Sequence, residues 1–321
     1  MTTATVTLKT TNQAMPLVGL GTWKIPQSET AKVVENSIQN GYRLLDCACD
    51  YGNEVEVGKG IKAAIDTGVV KREDIFVTSK LWNTFHAREH VRPALERTLK
   101  DLDLEYLDLY LIHFPISLKY VDFETRYPPE WLYNPESDKL PTYADISIRE
   151  TWEAMEELVD AGLVKNIGVA NFNCSLIMDL LKYARIKPAV NQVEIHPYLA
   201  QDVLVEFCQR KDIAITAYSS FGSISYLSLF DGAKSIPSLL EDETIVKIAK
   251  KHSKTAAQVL LRWSLERQIA VIPKSGNEER LRQNIDLDFT LSKEDMDEIK
   301  KLDKGIRFNN PGAYFDCPIF G

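Results

Sequence analysis

Eight short apolar runs alternate with amphipathic stretches of helical period along this 321-residue sequence. The runs are rich in Leu, Ile, Val and aromatic residues, a composition typical of buried strands. We predict strands over residues 17–23, 42–48, 74–82, 106–114, 164–172, 189–196, 213–220 and 269–275. Each predicted strand is followed by helical periodicity, which is the pattern of parallel strands joined by crossover helices.

A parallel sheet of this kind either stays open with helices on both faces or closes into a barrel. Eight units in this length favour the closed (β/α)8 TIM barrel. An open dinucleotide-binding sheet would carry a glycine-rich turn after its first strand, but Gly19 and Gly21 stand in G-L-G-T-W-K without a third glycine. We therefore predict one α/β domain over 1–321, with an N-terminal hairpin at 5–16 covering the barrel base and an extra C-terminal helix at 292–303.

Two irregular segments interrupt this pattern. Residues 115–144 are polar and rich in Pro and Tyr, and residues 221–238 separate a predicted strand from the next helical run. The first segment is too long for a routine connection, so we predict a loop that lies over a functional site.

The composition limits the classes of function. The net charge of −8 disfavours binding to a phosphate backbone, so we expect no nucleic-acid partner. No apolar run reaches the ~18 residues that a membrane helix needs, and the first 21 residues lack a signal-peptide pattern. Five scattered cysteines indicate reduced thiols in the cytoplasm rather than disulfides, and their spacing predicts no metal site.

Ionisable side chains follow or end three neighbouring predicted strands: Asp46 and Tyr51, then Lys80, then His113. The carboxyl ends of barrel strands meet at one mouth, so we expect these side chains to converge. A lysine ammonium lowers the pKa of a neighbouring phenol, which could then protonate a carbonyl oxygen, and Asp46 would keep a buried Lys80 charged. His113 would orient the carbonyl. Each side chain taken alone is also compatible with ordinary packing.

A carbonyl polarised in this way can accept hydride, which no side chain donates, so a nicotinamide cofactor is implied. Lys274 and Arg280 flank the predicted helix after the last strand, where barrels commonly bind phosphate, and would suit the 2′-phosphate of NADPH. An exposed helix start with surface charges is the alternative interpretation. Tyr218 could stack on the nicotinamide, and Asn171 and Gln192 could hydrogen-bond its carboxamide.

The sequence resembles the aldo-keto reductases over nearly its whole length. The motifs that carry the likeness are G-Y-R-L-L-D-C-A-C-D-Y-G-N-E (41–54), S-K-L-W (79–82), L-I-H-F-P (111–115), G-V-A-N-F (168–172), N-Q-V-E-I-H-P-Y (191–198) and I-P-K-S (272–275). Within that family it is most similar to the fungal xylose reductases, through H-F-P-I-S-L-K-Y-V, R-Y-P-P-E-W and R-F-N-N-P.

The resemblance implies NADPH-dependent reduction of an aldose or another aldehyde, with NADH used more weakly. It assigns Tyr51 as general acid, tuned by Lys80 and Asp46, and His113 as the residue that orients the carbonyl. The further substrate contacts that it implies are Trp23, Asp50 and Asn309, and the cofactor residues are Asn171, Gln192, Tyr218, Ser219, Phe221, Lys274, Ser275, Arg280 and Asn284. A homodimer is left open.

Three alternatives to an aldose reductase follow from the same residues. The first is a general carbonyl or keto-ester reductase with a non-sugar substrate. The second is a non-catalytic NADPH-binding subunit, and the third is an aldolase in which Lys80 forms a Schiff base.

Three departures from the family pattern affect the cofactor prediction. Ala170 stands where a serine is usual, which removes one hydrogen bond to the carboxamide, worth roughly 0.5–1.5 kcal/mol. Gly276 follows Ser275 where an asparagine is common. Residues 221–228 read F-G-S-I-S-Y-L-S and lack the glutamate that would accept from a free ribose, so we expect a stronger preference for NADPH than in dual-cofactor relatives.

Overall fold

The structure is a computed structural model that describes residues 4–227 and 231–320. Its strands are β1 (Thr5–Thr7), β2 (Ala14–Pro16), β3 (Leu20–Gly21), β4 (Leu44–Asp46), β5 (Phe76–Leu81), β6 (Leu107–Ile112), β7 (Val164–Ala170), β8 (Val190–Glu194), β9 (Ala214–Tyr218) and β10 (Ile269–Val271). Its α-helices are α1 (Gln27–Gln39), α2 (Glu54–Asp66), α3 (Arg88–Leu102), α4 (Ile148–Asp160), α5 (Cys174–Tyr183), α6 (Asp202–Arg210), α7 (Glu243–Lys251), α8 (Ala256–Glu266), α9 (Glu278–Ile285), α10 (Lys293–Lys300) and α11 (Pro311–Tyr314).

Strands β3 to β10 form one parallel sheet in chain order. The two edges of the sheet meet, because Val18 and Val271 form a parallel bridge and Gly19 N donates to Val271 O at 2.8 Å. The Cα of Gly21 lies so close to the last strand segment that an added Cβ would be 2.5 Å from Ile272 O. A glycine is therefore needed where the barrel closes. The prediction of a (β/α)8 barrel is confirmed.

Local sequence explains where the helices begin and end. Ser147 caps α4 by accepting from Glu150 N, and Thr255 and Gln258 form a reciprocal capping box at the start of α8. Beyond α2 the chain turns at Gly68 with a φ of 73°, a conformation that favours glycine. The helices pack their apolar faces on strands whose side chains are almost all buried.

The N-terminal hairpin of β1 and β2 closes one mouth of the barrel, as predicted. Its loop donates from Thr11 Oγ1 to Asn166 Oδ1 at 2.7 Å and from Gln13 Nε2 to Asp108 Oδ1 at 2.8 Å. Asp108 and Asn166 lie near the N-terminal ends of β6 and β7. The opposite mouth, at the carboxyl ends of the strands, is therefore the one that can receive ligands.

The long loop after β6 crosses this second mouth and contacts the C-terminal tail. Leu118 and Tyr143 form an antiparallel bridge within the loop. The rings of Trp131 and Phe315 stack with centroids 4.9 Å apart, which joins the loop to the tail. Among the described residues, no helix is both long and apolar enough to cross a bilayer.

Candidate active site

Lys80 is the buried centre of a polar cluster in the carboxyl-end mouth. Its Nζ donates to Asp46 Oδ1 at 2.6 Å, to Cys47 O at 2.7 Å and to Tyr51 OH at 3.2 Å. These bonds use all three donors of an ammonium group. Burial lowers the pKa of Lys80, but the charge interactions and hydrogen bonds with Asp46 and Tyr51 together outweigh burial and hold the pKa above its usual value. The side chain is therefore charged inside the barrel.

Register explains why these groups meet. Asp46 ends β4, where it pairs with Thr78 of β5, so Lys80 lies two residues further along the neighbouring strand and on the same face. A short 3-10 turn, Cys49–Tyr51, then brings Tyr51 back over the barrel, and Gly52 ends that turn with a φ of 68°.

Tyr51 points its hydroxyl at the Lys80 ammonium, as the sequence predicts, but its acidity differs from the prediction. Burial raises the pKa of Tyr51 above its usual value, and the Lys80 charge offsets only part of that rise. We expected the net shift to be downward. The phenol is consequently protonated at neutral pH, which is the state that a proton donor requires.

His113 lies beside Tyr51, one residue beyond the end of β6. The two rings are arranged edge to face, with centroids 6.0 Å apart, and Trp82 also packs edge to face against the imidazole, with centroids 5.1 Å apart. Burial, with the charges of Lys80 and His86, lowers the pKa of His113 well below its usual value. The imidazole is therefore neutral and donates from one nitrogen only.

The residues predicted to hold a nicotinamide lie next to this cluster. Gln192 Nε2 donates to Asp46 Oδ2 at 2.6 Å, so Asp46 is bound on both oxygens. Asn171, with a positive φ of 64°, donates from Nδ2 to His113 O at 2.8 Å and accepts from Tyr218 OH at 2.6 Å. Asn171, Gln192 and Tyr218 thus adjoin the Lys80 cluster.

The three further predicted substrate residues surround the same mouth. Asn309 donates from Nδ2 to Tyr218 OH at 3.1 Å. Trp23 is half-buried against Tyr226, with ring centroids 5.7 Å apart. Burial raises the pKa of Asp50 to about 7, and the Glu130 carboxylate adds to the rise.

The residues predicted to bind the cofactor phosphates lie on a second part of the rim. Lys274 and Arg280 are exposed at the start of α9, while Ser275 is buried and accepts from Asn277 N at 3.1 Å. Burial lowers the pKa of Lys24 and the nearby Lys274 charge lowers it further, so two ammonium groups share this region. Glu278 and Glu279 occupy the first turn of α9 and offset the positive end of the helix dipole. The positive charge of this region therefore comes from lysine and arginine side chains.

The remaining predicted cofactor residues flank this region. Asn284 is buried on α9. Ser219 and Phe221 lie in the turn after β9, where the Ser219 hydroxyl is 2.9 Å from Tyr226 OH. The segment in which a glutamate is missing ends at Ser228, which lies outside the described residues.

Comparison with known proteins places this arrangement in a family. The model of the aldo/keto reductase family matches residues 17–304. The chain belongs to the aldo/keto reductase family. This confirms the resemblance stated from the motifs. The mouth in which barrel enzymes carry their catalytic groups here holds Asp46, Tyr51, Lys80 and His113.

Relatives of this aldo/keto reductase include named fungal enzymes. It is 54% identical over 308 residues to the NAD(P)H-dependent D-xylose reductase I,II of Candida tropicalis, covering 95% of this chain and 94% of the relative. It is 52% identical over 322 residues to the 4-dihydromethyl-trisporate dehydrogenase of Mucor mucedo, covering both chains completely. A crystal structure of a Bombyx mori aldo-keto reductase in complex with NADP matches with a TM-score of 0.87 and 38% identity, over 100% of this chain and 99% of that one.

Sequence reasoning missed two polar residues of this aldo/keto reductase mouth. Glu194 ends β8 and is fully buried, with its carboxylate bound to the C-terminal tail. It lies two residues after Gln192 on the same strand face, and this alternation could have identified it. The other is Tyr226, whose hydroxyl meets Ser219, and no signal in the sequence gives that contact.

Proposed function

We propose that this chain reduces an aldose or another aldehyde to the corresponding alcohol with NADPH, and that Tyr51 supplies the proton. The observation that carries the proposal is the position of Lys80 Nζ, 2.6 Å from Asp46 Oδ1 and 3.2 Å from Tyr51 OH. Membership of the aldo/keto reductase family and the names of the fungal relatives support it. We also propose that residues 1–321 form a single domain.

The proton transfer follows from the charges in the cluster. Tyr51 stays protonated until a carbonyl oxygen beside it gains negative charge, and it then donates its proton to that oxygen. The phenolate that remains is stabilised by the Lys80 ammonium at 3.2 Å, which Asp46 keeps charged. His113, neutral and adjacent to Tyr51, hydrogen-bonds the same oxygen and fixes the orientation of the carbonyl.

The chain's own donors and acceptors fit a nicotinamide cofactor. Gln192 and Asn171 supply amide groups and Tyr218 a ring face beside the Lys80 cluster. Lys274 and Arg280 supply positive charge for phosphate, and the 2′-phosphate of NADPH would gain most from it. When bound, the reduced nicotinamide supplies the hydride. We propose that NADH is used more weakly, because it lacks that phosphate.

For the substrate we propose a small polyhydroxylated aldehyde of the pentose type. Asp50 and Asn309 provide a carboxyl group and an amide for hydroxyl groups, while the half-buried Trp23 provides an apolar wall.

The proposal includes a cytoplasmic location, supported by five cysteines without a disulfide. Neither nucleic acid nor a membrane is proposed as a partner, and a homodimer is the assembly that the resemblance leaves open.

A second candidate is a carbonyl reductase with a non-sugar substrate. Two observations favour it. One full-length relative at 52% identity is named for a substrate other than a sugar. The mouth also carries partly exposed aromatic surface, from Trp23, Trp131 and Phe315.

Steady-state kinetics over a substrate panel tests both candidates. The panel contains xylose, arabinose, a short hydroxylated aldehyde, an aromatic aldehyde and a keto ester, each measured with NADPH and with NADH. The proposal expects the highest kcat/KM with NADPH and an aldose. Turnover confined to the aromatic aldehyde and the keto ester would replace it by the second candidate. Oxidation of NADPH with no member of the panel would contradict both.

A further inference from the structure

Glu194 is a fully buried carboxylate whose partners are three N–H groups. Its Oε1 accepts from Phe308 N at 2.8 Å and lies 2.9 Å from His196 Nε2, and its Oε2 accepts from Asn309 N at 2.8 Å. Neither Phe308 N nor Asn309 N belongs to a helix or strand, so the carboxylate supplies the acceptors that the backbone there lacks. Glu194 therefore fixes two consecutive residues of the C-terminal tail to the end of β8.

Other bonds hold the preceding part of the tail independently of the Glu194 carboxylate. Ile306 N donates to Tyr198 O at 2.9 Å, and Lys304 N donates to the same oxygen at 3.3 Å. Gln201 Nε2 donates to the backbone oxygen of Glu194 while its Oε1 accepts from Arg307. A change in the Glu194 carboxylate is thus expected to move Phe308 and Asn309 without releasing the whole tail.

The position of Asn309 matters because its side chain continues the network into the mouth. Asn309 Nδ2 donates to Tyr218 OH at 3.1 Å, and Tyr218 OH donates to Asn171 Oδ1 at 2.6 Å. The Asn309 Oδ1 atom accepts from Tyr314 OH. These bonds use one of the two amide hydrogens and one of the two acceptor positions of Asn309, leaving one of each for a ligand.

We propose that Glu194 is a positioning residue that makes the site selective for polyhydroxylated aldehydes, by holding Asn309 where its remaining donor and acceptor meet a substrate hydroxyl. This inference rests on the proposed function, and it adds a residue that touches neither the substrate nor the reacting atoms. An aldehyde without hydroxyl groups makes no use of Asn309. Its reduction therefore depends on Tyr51, Lys80 and His113 but not on Glu194.

A carboxylate is needed at this position because donors approach both of its oxygens. In Glu194→Gln only one oxygen remains, and the new NH2 group faces either Asn309 N or the pair formed by Phe308 N and His196. Two donors in contact repel each other, so the tail must shift at one of these residues. The substitution keeps the size of the side chain and tests the hydrogen bonds rather than the packing.

The test compares Glu194→Gln with a matched control, Glu156→Gln. Glu156 is also buried, and its Oε1 accepts from a backbone N–H, Ile186 N, at 2.8 Å, but it lies on α4 away from the mouth. For each variant we would measure KM and kcat for xylose and for an aromatic aldehyde, together with the NADPH dissociation constant and Tm. We expect Glu194→Gln to raise KM for xylose about threefold to tenfold, as for the loss of one hydrogen bond, with kcat and both aromatic-aldehyde constants within about twofold.

A double-mutant cycle separates positioning from a general loss of structure. If Glu194 acts through Asn309, Glu194→Gln has no further effect on the xylose KM once Asn309→Ala is present. Equal losses for both substrates, losses matched by Glu156→Gln, or additive effects with Asn309→Ala would each overturn the proposal. Should Glu194→Gln not fold, Glu194→Asp gives the same comparison, because it keeps the charge and withdraws it by one methylene. A wild-type enzyme that reduces the aromatic aldehyde but no aldose contradicts the proposed function instead.

Discussion

The Lys80 ammonium, buried in the barrel, donates at 3.2 Å to the hydroxyl of the half-buried Tyr51. Burial makes the phenol a weaker acid, while the ammonium stabilises the phenolate that proton transfer would leave. In the proposed reaction the ammonium would therefore stabilise the phenolate formed by proton transfer, while Tyr51 stays protonated before the substrate binds. The sequence had instead predicted a Tyr51 phenol of lowered pKa, which would be partly ionised before the substrate binds.

Lys80→Met should lower the free energy of unfolding and abolish most of the activity. The variant leaves the Asp46 carboxylate buried without its cation, although Gln192 still donates to Oδ2. We expect the free energy of unfolding to fall by about 3 kcal/mol, the lower end for breaking a buried ion pair. Urea denaturation measures this change. The double variant Asp46→Asn/Lys80→Met removes both charges and should be more stable than Lys80→Met alone; a less stable double variant would contradict the ion-pair account.

Lys274→Ala should weaken the binding of NADPH far more than the binding of NADH. The proposed role of Lys274 is to pair with the 2′-phosphate, which only NADPH carries, so the KM for NADPH rises while that for NADH stays unchanged. Lys187→Ala serves as the control, because Lys187 is exposed just before β8, at the other end of the barrel. An unchanged affinity for NADPH in Lys274→Ala would refute the phosphate assignment.

Tyr226→Phe should speed the release of NADPH. The substitution keeps a ring beside Trp23 and Phe308 but removes the 2.9 Å bond to Ser219, a predicted cofactor residue in the turn after β9. We expect the dissociation rate in stopped-flow measurements to rise about twofold to tenfold, as for one hydrogen bond. Tyr143→Phe is the matched control, since that hydroxyl contacts Asp316 O and Cys317 instead. Equal release rates for Tyr226→Phe and the wild type would exclude this coupling.

Glu54 should make stability depend on pH. Burial raises the pKa of Glu54 from its usual value to about 7, although Ser79 and Thr98 donate to it. The folded state therefore binds this proton more tightly than the unfolded state, and the resulting stabilisation is complete below the unfolded pKa and is lost as pH rises through about 7. The loss amounts to about 3 kcal/mol.

Glu54→Gln cannot ionise, so its free energy of unfolding should fall less between about pH 5 and 8 than that of the wild type. Urea denaturation over this range provides the comparison. Asp50 titrates in the same window, because its pKa is also raised to about 7, so Asp50→Asn is measured in parallel to separate the two groups. Identical pH profiles for Glu54→Gln and the wild type would show that Glu54 contributes nothing to this dependence.

The sequence predicted the barrel and the convergence of Asp46, Lys80 and His113 at one mouth because both depend on local pattern. Strand period and strand order place Asp46, Lys80 and His113 at neighbouring strand ends, and only barrel closure is needed to bring them together. Contacts across the barrel were not predictable in this way. The bond from Gln192 to Asp46 joins residues that lie 146 positions apart.

The net pKa shift of Tyr51 was predicted in the wrong direction for a related reason. A sequence indicates which charges are near a group, but the extent of its burial depends on the packing of the loops around it. Burial proved to be the larger effect at Tyr51. The same limit applies to Glu194, because its role depends on where the tail returns to the barrel.

Pre-steady-state reduction by Tyr51→Phe, with NADPH affinity measured in parallel, tests the central claim most directly. The variant keeps the ring beside His113 and removes only the hydroxyl that meets Lys80. The account predicts that the chemical step slows by about 10²–10⁴-fold, the usual contribution of a general acid, while the NADPH dissociation constant changes by less than about twofold. A rate for the chemical step within about threefold of the wild type, with NADPH bound normally, would contradict it.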